Sequence, residues 1–358
     1  MSMGRRDLLK ILGSTVLLHS CLPVKKESVL TNPEMIYSGF RMGAPYVSTP
    51  AGLVISSPMF TEKVTFANEI HSIIYSRELK LKVFVSKLEL LSYGQFENGP
   101  YTKIHADEGN YFYGHGVIDE KRKLFYSTQA KVTKDRDDGA RGDVSGFVYV
   151  HSLPDFKIVD KFPTFGNDPH DMKLINDQLI ICNGGSDSSI TFIDLPTRKL
   201  VREFKVNVPH LSLRHIEQVD EQNFIIATLT SDLKKTTPLY GLNLQAGLRK
   251  YPTPVEIENS YMRSQLLSVI HHGGYIYATC PATHTVLIWD RSGNFLGGQK
   301  IKAAAGLAVS GELNAVVVSS GDPLEPAKLL TINNGSVRIQ ALSWATGLTG
   351  SHATVVNA

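Results

Sequence analysis

This chain of 358 residues has little cysteine, almost no tryptophan, no hydrophobic run long enough to cross a membrane and no dominant sign of charge. Cys21, Cys182 and Cys280 are too few for a disulfide framework and form no CxxC pair, which excludes the thiolate zinc motifs. Cys182 and Cys280 lie in the apolar runs LIICNGG and IYATCPA and are expected as buried core thiols. With 37 Lys and Arg against 34 Asp and Glu, the net charge of +3 argues against a nucleic-acid surface or a polybasic membrane patch. There is no GxSxG elbow, no phosphate-cradling glycine loop and no HExxH, so those hydrolase and nucleotide-binding classes are set aside. The Asp137-Asp138 pair falls in the charged stretch KVTKDRDDGARGD, residues 131 to 143, which reads as a solvated loop.

What is present begins at the N-terminus. Arg5 and Arg6 in GRRDLLK resemble the twin-arginine export consensus, with Leu8 where phenylalanine is usual. The apolar run from Ile11 to Leu18 is too short for about 30 Å of hydrocarbon and reads as the core of a signal peptide. Leu18-His19-Ser20-Cys21 resembles a lipobox, with simple cleavage as the alternative. The expected organisation is a signal over 1–21, a linker over 22–36 and one domain over 37–358. The implied location is the periplasm, reached through the twin-arginine translocase, with membrane contact only through a lipid on Cys21. Such export carries proteins already folded, which fits a metal or redox role.

Beyond the leader the sequence is a succession of short strands, and it repeats. HGVIDEKRKLFYST from His115, HDMKLINDQLIICN from His170 and HIEQVDEQNFIIAT from His215 share a histidine, a short strand, a polar turn and an apolar strand opening nine residues after the histidine. These units start 55 and 45 residues apart, the order of spacing of propeller blades, about 40 to 50 residues each. Fainter copies start near His71, Leu266 and Gly306. A second strand pair follows, as in ITFIDLPTRKLVREFKV and VLIWDRSGNFLGGQKI, with Asp194 or Asp290 opening the turn. Strands near both chain ends complete a last unit, so the fold expected is all-β, a seven-bladed β-propeller of WD40/YVTN-like, quinoprotein-dehydrogenase-like type, closed by both termini. Trp289 and Trp344 are too few for the tryptophan docking repeats of quinone-dependent dehydrogenases.

In a propeller the first strand of each blade lines the central channel, so a shared position near its start converges on one small space. His71, His115, His170 and His215 occupy that position, and His352 is placed to join from the closing blade. Neutral imidazole is the commonest nitrogen ligand for copper, zinc, iron and nickel, and several without thiolates suit a borderline metal, with copper or iron expected, or a haem-like ligand. Asp171 can orient an imidazole or complete a coordination sphere, and Arg214 can meet a carboxylate or other anion of a bound chelate or cofactor. The alternative is that channel histidines satisfy backbone groups at strand entries and were inherited by blade duplication. His271 and His272 are placed in an exposed turn, HHGG, and His105, His151, His210 and His284 share no repeat position and read as structural.

The segments GNDPHDMKLINDQLIICNGG and LSLRHIEQV, with Gly114-His115-Gly116, resemble those of a bacterial family of exported propellers, domain of unknown function 1513. In the first blade Ile70 stands where that family usually has a glycine before the histidine. The resemblance implies an iron-acquisition setting, with imelysin-like and di-haem periplasmic proteins as partners, but no established reaction. Histidine-lined channels are also similar to those of the nitrous-oxide-reductase N-terminal domain and of selenium-binding, methanethiol-oxidase-like proteins, which bind copper. Three functions follow as expectations: a binding or accessory protein holding a metal ion or metal chelate, a copper- or iron-dependent oxidoreductase using the same histidines, and an interaction scaffold.

Overall fold

The computed structural model describes residues 34–41, 51–131, 144–230, 237–261, 265–333 and 335–357. The signal, the lipobox and most of the charged stretch 131–143 lie outside the described residues. The compact unit opens at Glu34. Residues 34 to 36, expected in the linker, are strand because Met35 and Ile36 pair with Val356 and Val355 of the last strand.

The chain forms antiparallel strands almost throughout. β1 (Glu34–Arg41), β2 (Ala51–Ser56) and β3 (Thr61–Phe66) are followed by β4 (Ile70–Ser76), β5 (Leu81–Glu89), β6 (Leu91–Phe96) and β7 (Thr102–His105). Next come β8 (Tyr111–Asp119), β9 (Leu124–Ala130), β10 (Ser145–Ser152) and β11 (Ile158–Asn167). Four further sets are β12 (Pro169–Ile175) to β15 (Lys199–Lys205), β16 (Leu211–Gln218) to β19 (Gly247–Lys250), β20 (Val269–His272) to β23 (Phe295–Lys300), and β24 (Ala304–Ser310) to β27 (Ser336–Ala341). The C-terminal strand β28 (Ala353–Asn357) joins the first set in the order β28-β1-β2-β3, so the two chain ends share one sheet. One short helix, α1 (Val255–Tyr261), lies between β19 and β20. Among the described residues, no helix is long and apolar enough to cross a membrane.

This is an all-β propeller, but its sheets are not the seven separate ones expected. Five blades are separate four-stranded sheets, and the other eight strands form one continuous sheet. The join is made where Lys87 and Glu89 of β5 pair with Tyr113 and Phe112 of β8. β5 is nine residues long and runs past its partner β6 to reach the next inner strand, an extension that no strand-length pattern encodes.

Period-2 patterning drives the packing: alternate residues of each strand face a neighbouring sheet. Ile180, Cys182 and Phe192 of one sheet meet Leu213, Phe224 and Ile226 of the next, and Tyr277, Val286 and Ile288 meet Leu307, Val316 and Val318. Trp289 is fully buried against Ile225, Leu239 and Leu266. Cys182 and Cys280 are buried thiols, as their apolar runs predict. The aspartate turns also form as read: Asp194 accepts from the Thr197 amide at 2.9 Å, and Asp290 from the Asn294 amide at 2.8 Å. His271 and His272 differ from expectation. They belong to β20, paired with Ile276 and Tyr275, and the turn is Gly273-Gly274 alone.

Candidate metal centre

The histidines are aimed by an irregularity that recurs on the inner strands. Pairing of inner with second strand skips between Ile70 and Ser72, between Phe112 and Gly116, between Pro169 and Met172 and between Leu213 and His215. Each skip lies at or beside a histidine: His71, His115, His170 or His215. A bulge of this kind leaves a residue out of the ladder and re-aims its side chain. β24 carries the same skip, between Ala304 and Leu307, without a histidine.

The rings converge. His71, His115, His215 and His352 each offer a nitrogen, and these ligand atoms all lie within 4.8 Å of one another. Ring centroids are 5.0 Å apart for His71 and His115, 4.9 Å for His115 and His352, and 4.7 Å for His215 and His352. His170 touches the group through His215, with their Nε2 atoms 3.1 Å apart. Nitrogens bound tetrahedrally to one ion through bonds of about 2.0–2.1 Å are about 3.3 Å apart, so this pair is also spaced for a shared ion.

Two glycines make room. Gly114 has φ +98, and a Cβ there would lie 2.4 Å from Cδ2 of His71. The glycine before His115 thus serves the first blade's histidine as well as its own. A Cβ on Gly306 would lie 2.5 Å from the Ala353 amide, so the histidine-free strand β24 lets the backbone carrying His352 come close.

Burial sets the electrostatics. All five imidazoles are held well below the ordinary histidine pKa, first by desolvation and then by nearby positive groups. Lys87 is one such group for every ring. The rings are therefore neutral near pH 7, the form that binds metals. Each keeps one buried nitrogen without a hydrogen-bond partner: Nε2 of His71, His115 and His352, and Nδ1 of His170 and His215.

Asp171 and Arg214 divide in role. Asp171 lies with its Oδ1 3.4 Å from Nδ1 of His115. The same oxygen accepts from the Met172 amide at 2.8 Å, and Oδ2 accepts from the Ile216 amide at 3.1 Å. One carboxylate thus ties β8, β12 and β16 together and leaves Nε2 of His115 turned to the cluster. Arg214, expected to meet an anion, meets one inside the chain: its guanidinium donates to Asp168 Oδ2 at 3.0 Å, and both residues are buried.

A cavity of about 350 Å³ adjoins the cluster, lined by all the inner strands. His115, His215 and His352 border it, as do Lys173 and Glu217, an ion pair at 2.9 Å joining β12 to β16. Sequence reading missed this pair. Its only signal was that Lys173 and Glu217 each lie two residues beyond a residue of the site, and so on the same side of a strand.

The fold recurs among solved structures at low identity. The chain is similar to Kuenenia stuttgartiensis hydrazine synthase, with 11% identity, TM-score 0.59 and coverage of 82% of this chain and 90% of that one. A Bacteroides fragilis protein described as a 6-phosphogluconolactonase matches at 12% identity and TM-score 0.59, over 93% and 100% of the two chains. A chain of the mitotic checkpoint complex matches at 8% identity and TM-score 0.57, over 76% of each. At such identities these likenesses speak for the propeller fold alone. No curated protein matches the sequence significantly. The family model for proteins of unknown function DUF1513 matches residues 65–346, most of the chain and every inner-strand histidine from His71 to His215, and the chain belongs to that family.

Proposed function

We propose that this propeller binds a copper or iron ion, bare or as a chelate, among His71, His115, His170, His215 and His352, as an exported binding or accessory protein of iron acquisition. The observation that carries this reading is the convergence of four imidazole ligand atoms within 4.8 Å, on rings that each keep a buried nitrogen unpartnered. A buried polar atom left without a partner costs about 1–3 kcal/mol. A pure interaction scaffold gains nothing in return for them, whereas a bound cation supplies the partner that Nε2 of His71, His115 and His352 lacks. An all-imidazole set without thiolate favours copper within the first-row order, with iron as the competing ion.

In the same reading the leader carries the folded chain to the periplasm, where a lipid on Cys21 anchors it and imelysin-like and di-haem proteins are its partners. The eight-stranded sheet counts as two blades joined through β5 and β8, which brings the ring to seven. The cavity beside three of the histidines favours one alternative, a copper- or iron-dependent oxidoreductase with a coordination position open to a small molecule.

Metal analysis of untagged protein from the periplasm tests the proposal, with wild type compared against a His115/His215/His352 triple alanine variant. About one equivalent of copper or iron in wild type and none in the variant is expected. Absence of metal from both, even after incubation with copper and iron salts, overturns the reading.

A further inference from the structure

The channel beside the histidines is bordered by apolar residues that already have partners elsewhere. Ile73, Met172, Ile216, Val269, Leu307 and Ala353 border it, yet each belongs to a hydrophobic cluster between neighbouring sheets. Strand alternation then gives the channel to the residues between them. On β12 and β16 those residues are polar, Asp171 and Lys173 with His215 and Glu217, and Ser268, His352 and Thr354 stand around them, while Ile74 and Ile270 are apolar. Along β12 and β16 a hydrated ion finds a continuous row of oxygen and nitrogen donors.

Lys173 stands on that path. Its ammonium is bonded to Glu217 at 2.9 Å and is further stabilised by the carboxylate of Asp171. A fixed cation already sits where two carboxylates from adjacent inner strands can be shared. Behind it, His115 faces Asp171 with Nδ1 at 3.4 Å and keeps Nε2 buried and unpartnered.

We infer that the Lys173–Glu217 pair is the latch of a cation route: a divalent metal ion enters the channel at this pair, displaces the Lys173 ammonium from the carboxylates of Glu217 and Asp171, and passes from them to the histidines. The inference rests on the metal reading above and adds the route and the transit ligands to it. Carboxylate oxygen suits a partly hydrated ion in passage, and imidazole nitrogen suits the ion at rest. A latch sets rates in both directions, so the pair fits a centre that exchanges its ion.

Copper(II) alone is the probe. Stopped-flow absorbance follows uptake by the full exported chain, and transfer to an excess of chelator follows release. Lys173→Met removes the resident cation and keeps the length of the side chain; uptake and release are both expected to quicken about tenfold. Glu217→Gln removes the transit carboxylate and is expected to slow both, and Lys80→Met, at the exposed pair with Glu97, to change neither. Thermal melts confirm that the variants fold, and Lys173→Gln replaces Lys173→Met if that variant does not. Rates within twofold of wild type in both channel variants overturn the route while leaving the metal reading intact. A wild-type protein that takes up no copper overturns both.

Discussion

Two regions of the molecule bury histidine, and they do so differently. His151 lies within a blade on β10, fully buried, with both ring nitrogens engaged: Nε2 with Ser127 Oγ at 3.0 Å and Nδ1 with the Phe156 carbonyl at 3.3 Å. Its ring packs against Phe125 at 5.4 Å between centroids. Four of the channel rings are buried as well and His352 is partly exposed, yet each of the five keeps a buried nitrogen unpartnered. Burial lowers the pKa in both regions, so neither burial nor a shifted pKa separates a site from a core residue. The unanswered nitrogen does. His151 completes a hydrogen-bond network that folding closes by itself, and the channel rings form one that folding leaves open.

The sharpest way to break this comparison is to remove one histidine from each region. His151→Ala opens a cavity and takes one of two partners from Ser127 Oγ, and is expected to lower stability by about 3–5 kcal/mol, as aromatic truncations in cores do. His352→Ala removes a partly exposed ring with an unpartnered nitrogen, and metal-free stability is expected to stay within about 1 kcal/mol of wild type. Urea unfolding of the metal-free proteins measures both. Equal losses would show that the channel rings are packing residues like any other.

Acid provides the second contrast. The pKa of His151 is pushed down to about 4 from the ordinary value of 6.5, chiefly by burial, with the Phe156 carbonyl opposing. A base whose folded pKa is depressed contributes its full stability above pH 6.5. That contribution drains away as the pH falls towards 4, because the unfolded chain takes up a proton that the fold refuses. The 2.5-unit gap, at 1.36 kcal/mol per unit, amounts to about 3 kcal/mol. His151→Gln, which keeps a donor for Phe156 and cannot titrate in this range, is expected to flatten the fall in unfolding free energy between pH 6.5 and 4 by about that amount. An unchanged slope would assign the acid sensitivity to the channel alone.

The repeat made much of this readable in the sequence. A histidine nine residues before an apolar strand, met three times, located three of the inner-strand rings, and the aspartate turns followed from local chemistry. His352 stood outside the repeat, and its place depends on β28 pairing with β1 from the far end of the chain. The bulges that aim the rings are differences in pairing register, which no single strand encodes. Lys173 and Glu217 look like ordinary solvent-facing charges until β12 and β16 lie side by side. The continuous eight-stranded sheet was invisible for a similar reason: it rests on two residue pairs beyond the end of a normal ladder.

Asp171 sharpens the comparison from inside the channel, because it gives His115 the one partner that His151 has twice over. Its carboxylate faces Nδ1 of His115 at 3.4 Å and is fixed there by the Met172 and Ile216 amides. A proton on Nδ1 facing that carboxylate would leave the lone pair of Nε2 for the cluster, the role outer-sphere carboxylates play for metal-bound histidines. Asp171→Asn keeps the shape and removes the charge, and copper affinity measured by chelator competition is expected to fall about 10–100-fold. A merely structural role would lower affinity by loosening the strands and would leave the copper spectrum of the bound fraction unchanged. A positioning role also changes the donor strength of His115, and so shifts the electron paramagnetic resonance parameters of the copper that still binds. Unchanged affinity and spectrum would leave Asp171 as a strand tie alone, with His115 aimed by the bulge of β8.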